Sequence, residues 1–127
     1  MNLEKVIFAF FIILALTVNF GFFIGDIDNP AHHNVVGLYA AIFVNAVVTI
    51  LKFGDRSHIG AMLLATSLVA LIHLVAAAAV WGYAVHVVDI GLTESTMAAI
   101  VSLSGGAVIA NVISVTLLVI EIVLLRR

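Results

Sequence analysis

Four apolar stretches run through the chain, and their lengths limit what it can fold into more than any motif does. They are Val6 to Ile24, Val35 to Leu51, Ile59 to about Val85, and Met97 to Leu125. A helix needs about 20 apolar residues to cross roughly 30 Å of hydrocarbon. The second stretch is short, while the last two are long enough to tilt or protrude. The expectation is an all-α integral membrane four-helix bundle, up-down-up-down, with residues 1–127 forming a single transmembrane domain. Composition points the same way. The chain is 65% hydrophobic and 9% charged, where soluble domains carry about 25% charge. Its mean hydropathy is +1.32. Lys5 ahead of an apolar run has the look of a secretory signal. No Ala-x-Ala cleavage signature follows and three more apolar stretches do, so this run reads as a retained span.

The connections GDIDNPAHHN, KFGDRSH and HVVDIGLTES hold most of the polarity. Links this short set successive spans antiparallel and adjacent. Gly25 and Asp28-Asn29-Pro30 are helix-stop and turn chemistry, and Thr93 or Ser95 is placed to cap the fourth helix. Drawing four spans puts all five basic residues (Lys5, Lys52, Arg56, Arg126 and Arg127) on one side. The other side carries Asp26, Asp28, Asp89 and Glu94. The positive-inside rule then expects both termini in the cytoplasm. Scattered bases and a formal charge of -2 argue against a nucleic-acid partner. The absence of Cys excludes disulfides, thiolate chemistry and cysteine metal sites.

Polar residues recur at depth. His73 lies about 14 residues into span three, Asn45 about 11 into span two and Asn111 about 15 into span four, all near mid-membrane at 1.5 Å per residue. Asn19 lies on span one, nearer its outer end. Hydrocarbon supplies none of these groups with a partner. One reading is a structural layer bonded across helices, at about 0.6 to 2 kcal/mol per bond. The other is a polar path for an ion or proton, with His73 titrating. Desolvation of a lone imidazole disfavours its charged form and weakens that path. Contact with a ligand or lipid is the third.

Small residues mark faces where helices approach closely: Ser102, Gly106, Ala110 and Ser114 in span four, Gly37 and Ala41 leading to Asn45 and Thr49 in span two, and Gly21 with Gly25 in span one. Span three aligns Ala61, Ala65, Val69, His73 and Ala77, continuing to Trp81. Such rows serve either the bundle itself or a homo-oligomer. Glu121, at the inner end of span four, reads as an interfacial partner of Lys5, Lys52 or Arg126, or as the cytoplasmic mouth of a cation path. Trp81, Tyr83 and Tyr39 suit the interface.

The outer face collects Asp26, Asp28, His32, His33, His86 and Asp89. Imidazoles and carboxylates are ligands for zinc, nickel or iron, so a metal site is one reading. A solvated, capped loop and an external pH sensor centred on His86 are the others. His73 is the one deep histidine, which gives a bis-histidine haem little basis, and no cofactor is expected. Gly105-Gly106 lacks the ending of a phosphate loop, and no Ser-His-Asp spacing suggests a nucleophile. The loops are too short to build a catalytic face, so no enzyme is expected.

The segments MNLEKVIFAFFIILALTVNFGFFIGDIDNPAHHN, LKFGDRSHIGA and VSLSGGAVIANVISV resemble a family of small, uncharacterised four-span bacterial inner-membrane proteins. The resemblance covers the whole chain. It implies a multi-pass protein of the bacterial inner membrane found near potassium-uptake components, hence an accessory role in cation handling and a cation-transport protein as partner. It carries no catalytic or binding residues. No TVGYG-type filter is present, so the chain does not look like a conducting potassium-channel subunit. The expected function is that of a non-enzymatic, lipid-embedded subunit, homo-oligomeric or accessory. The alternatives are a homo-oligomeric conduit lined by Asn45, His73 and Asn111, and an outer-face metal-binding protein.

Overall fold

In the computed structural model the chain is described over residues 3–26, 28–54, 57–88 and 91–125. Asp89, Arg56, Arg126 and Arg127 lie outside the described residues. Four long helices form: α1 (Leu3–Phe23), α2 (Val35–Lys52), α3 (His58–Gly82) and α4 (Glu94–Leu125). A 3-10 turn, Pro30–His32, precedes α2, and α3 runs on through a π-helical turn, Tyr83–Val87. The third span is therefore helical slightly past Val85, and the fourth begins three residues before Met97.

The helix starts are set by polar side chains that accept backbone N–H groups otherwise left over. Asn34 accepts from Val36, Ser57 from Gly60 at 3.0 Å, and Thr93 from Thr96 at 3.1 Å. Of the two caps expected for the fourth helix, Thr93 takes the role. Pro30 opens the 3-10 turn, where its missing N–H costs nothing.

Helix α1 packs on α2 and α4, and α3 packs on α2 and α4. Successive helices are thus neighbours and the last closes against the first, the up-down-up-down arrangement. All four are long and apolar enough to cross a membrane, and only 22% to 33% of each spanning window is buried inside the bundle. The remaining surface is apolar on every helix, with Phe43, Ile50, Ile72 and Ile109 more than 60% exposed. Water would make such a surface costly, and lipid would not. This is an all-helical, multi-span membrane protein.

The interior divides into two apolar clusters. One, toward the α1–α2 turn, gathers Phe22, Leu38, Ala41, Ala70, Leu74, Ala77, Met97, Ile100, Val101, Ala107 and Ala110. The other, toward the termini, holds Phe8, Ile12, Ala15, Val44, Val48, Leu63 and Leu118. Buried polar residues lie between them in sequence on three helices, Asn19 on α1, Ser67 on α3, and Asn111 and Ser114 on α4, while Asn45 on α2 lies within the second cluster, between Val44 and Val48.

Candidate functional site

The polar seam is closed largely on the protein's own backbone. Asn45 Nδ2 donates to Ala41 O at 2.8 Å, and Thr49 Oγ1 to Asn45 O at 2.9 Å. Ser67 Oγ donates to Leu63 O at 2.8 Å. Two links cross between helices. Asn111 Nδ2 reaches Ala15 O on α1 at a long 3.4 Å. Thr66 gives its own proton to Met62 O at 3.0 Å, so Ser114 donates to Thr66 Oγ1, at 2.6 Å, and ties α4 to α3. Asn19 is fully buried, and neither polar atom of its amide has a hydrogen-bond partner among the described residues. Leaving such atoms unbonded costs about 1–3 kcal/mol each. The sequence pattern picked out the three asparagines and passed over Ser67 and the Thr66–Ser114 pair. Hydroxyls that bond the preceding turn leave no hydropathy signature.

His73 stands apart from this seam. It is six residues beyond Ser67, about 9 Å along α3 toward the α3–α4 connection. Its Nδ1–H donates to Val69 O at 2.9 Å, and the ring lies against Gly106, where an added Cβ would come within 2.7 Å of Cδ2 and 2.9 Å of Nε2. Its Nε2 has no hydrogen-bond partner among the described residues and is not buried.

The small-residue rows divide accordingly. Gly106 receives His73, Gly105 receives Phe23, and Gly37 faces Phe22. Ala41, Ala110 and Ser114 are buried. Those positions pack one chain. Gly21 and Ser102 are exposed, and nothing lies within 4 Å of the Gly21 Cβ position. On α3, Ala61, Ala65 and Val69 face outward, and the buried line is Gly60, Leu63, Ser67, Ala70, Leu74 and Ala77.

At the α1–α2 turn, two histidines fold back onto the end of α1. The His33 ring is 3% exposed. Its Nδ1 lies 2.6 Å from Phe22 O and its Nε2 2.8 Å from Asp26 O. His32 Nδ1 accepts from Asp26 N at 2.9 Å. Gly25 makes this possible: its φ is +118°, and a Cβ there would stand 2.7 Å from His32 Cβ. The Phe22 ring packs on both His33 and Trp81, with centroids 5.6 and 6.4 Å away. The side chains of Asp26 and Asp28 and the ring of His86 are exposed. Among the described residues, no group of three or more His, Cys, Asp or Glu side chains is placed to hold a metal ion. His33 has both ring nitrogens turned to carbonyl oxygens, which is not the arrangement of a chelate.

At the terminal end, Lys52 Nζ sits 4.4 Å from the Phe8 ring centroid, a cation–π contact joining α2 to α1. Lys5 is exposed. Glu121 is half-buried and lines an open groove of about 300 Å³ with Ser57, His58, Ile59 and Leu124. His58 carried no signal in the sequence pattern and comes to the same groove as Glu121 only through the fold.

Residues 32–122 match a family of unknown function, DUF6394. The chain belongs to this family. The match takes in most of the site just described, including His32, His33, Asn45, His73, Asn111 and Glu121, and begins after α1. No curated protein matches, and no solved structure does.

Proposed function

We propose that this DUF6394 protein is a non-enzymatic subunit of the bacterial inner membrane, assembled with copies of itself or with a cation-transport protein, and oriented with both termini in the cytoplasm. The observation that carries the reading is the outward face of α3. Ala61, Ala65 and Val69 form a smooth exposed row that leads to His73, whose half-buried ring lies against Gly106 with Nε2 not fully buried and without a hydrogen-bond partner among the described residues. With Nδ1–H given to Val69 O, Nε2 is left as an acceptor. Lipid tails offer it no donor, and a helix from another subunit does. Apart from Asn19, the seam residues bond to backbone and to each other, which supports a packing role for them over a water-lined path. Orientation rests on Lys5, Lys52 and the bases beyond the described residues, together with the acidic opposite loops. The link to cation handling rests on the family resemblance alone.

The chain has no native Cys, so Ala65→Cys gives a single crosslinking site. In native membranes it should yield a disulfide-linked dimer, while Phe43→Cys on α2 should not. A monomer at both positions, with a monomeric native mass in nanodiscs and no transporter co-purifying, would overturn the proposal. The second reading, a conduit, is favoured by the unpartnered amide of Asn19 in the seam. Cation flux through proteoliposomes of the pure chain, lost in Asn111→Leu, would establish it in place of the first.

A further inference from the structure

We propose that His32 and His33 form a proton-binding latch that holds the α1–α2 turn fully closed only when the pair carries one added proton. Nothing in it rests on the subunit reading above.

Phe22 O and Asp26 O accept hydrogen bonds and cannot donate them. His33 faces the first with Nδ1 at 2.6 Å and the second with Nε2 at 2.8 Å. A neutral imidazole has one N–H and one lone pair, so it satisfies one of these carbonyls and sets its lone pair against the other. The imidazolium satisfies both. Phe22 O is also among the last carbonyls of α1, the negative end of that helix, where a cation is favoured. His33 therefore acts as a cap reaching back from 11 residues along the chain.

His32 makes the opposite demand. Its Nδ1 accepts the N–H of Asp26 at 2.9 Å, so that nitrogen must be bare and its Nε2 must hold the ring's one proton. The 3.4 Å approach of Asn29 Nδ2 to Nε2 sets two N–H groups together and holds nothing. Asp26 is thus gripped at both ends of its backbone, its N–H by a neutral ring and its C=O by a charged one. The two histidines are consecutive, and Gly25 clears the space they fold into.

His33's second bond is present when it is doubly protonated and is lost as pH rises. His32's bond is present when it is neutral and is lost as pH falls, when two adjacent imidazolium rings would also repel. Closure is then greatest at an intermediate pH, where His33 is doubly protonated and His32 is neutral. Among the described residues, the ionisable groups sharing this end are Asp26, Asp28 and His32 in the turn, Tyr39 on α2, Tyr83 and His86 on the π-helical turn after α3, and Glu94 on α4. All these side chains are exposed, and none of them is bonded to the His33 ring.

The test is a pH series of ¹⁵N side-chain spectra on the full chain in nanodiscs, with His32 and His33 assigned by the loss of their signals in H32N and H33N. The expected result at intermediate pH is two protonated ring nitrogens on His33 and a neutral Nε2–H form of His32. Hydrogen-exchange protection of the Asp26 amide should peak there and fall by about 2- to 13-fold toward either limit, the loss of one such bond. H32N should remove the acid limb and H33N the alkaline limb. If H33N does not fold, the wild-type spectrum still decides. A singly protonated His33 at the pH where His32 is neutral would overturn the proposal, as would protection that changes in one direction only.

Discussion

Gly106 and His73 give the sharpest test of how α3 and α4 meet. A Cβ at Gly106 would stand 2.7 Å from His73 Cδ2 and 2.9 Å from Nε2, where ordinary contact is 3.4–4 Å. The ring must retreat by about 0.7 Å or more, and its bond from Nδ1 to Val69 O, 2.9 Å long, resists that. Overpacking of this kind costs about 1–3 kcal/mol. Swinging the ring away instead forfeits a hydrogen bond worth about 0.5–1.5 kcal/mol. Gly106→Ala should therefore destabilise the chain by about 1–2 kcal/mol, even though alanine is the better helix former. With His73→Ala beside it, the obstruction is gone and the propensity gain of up to about 1 kcal/mol is left. The substitution then turns neutral or stabilising, and the coupling between the two positions comes to about 2 kcal/mol. Reversible unfolding in mixed micelles, run as a double-mutant cycle, measures it. Costs that simply add, to within about 0.3–0.5 kcal/mol, would refute the contact.

Other substitutions test the remaining links. Asn19→Leu removes two buried atoms that lack partners, so stability should hold or rise, by up to about 1–3 kcal/mol; a fall of that size would reveal a partner for the amide. Thr66→Val and Ser114→Ala should each cost about 0.6–2 kcal/mol and be strongly non-additive, since both break one bond. Gly25→Ala sets a side chain at positive φ against His32 and should cost about 1–3 kcal/mol, read as lost protection of the Asp26 amide. Single cysteines at Ser57 and Glu94 should label from opposite sides of the bilayer, Glu94→Cys from outside.

The helices were legible because length and hydropathy are properties of a segment, and lipid leaves a segment that long and apolar little alternative. The adjacency of the helices was legible because the connections are short. The partners of polar residues were not. Asn45 and Asn111 look equivalent in the sequence, yet one bonds its own helix and the other reaches α1. Depth alone grouped His73 with them, but a shift of six residues along a helix also changes the face. Ala61 and Ala65 look as well suited to a buried face as Ala70 and Ala77, and only rotation of α3 about its axis separates them. The roles of His32 and His33 depend on α1 ending in a glycine at positive φ, which composition does not announce.

Phe23 closes α1 against Gly105, so the eleven residues of α4 from Glu94 to Ser104 continue past the end of α1. That overhang is about 16 Å, close to half a bilayer's hydrocarbon. The body presents a tall side, α3 with α4, and a low side, α1 with α2. Lipids around it must stretch on one flank and thin on the other, at a fraction of a kcal/mol per Å of misfit. Membranes of different thickness should therefore deform to different extents around the two flanks.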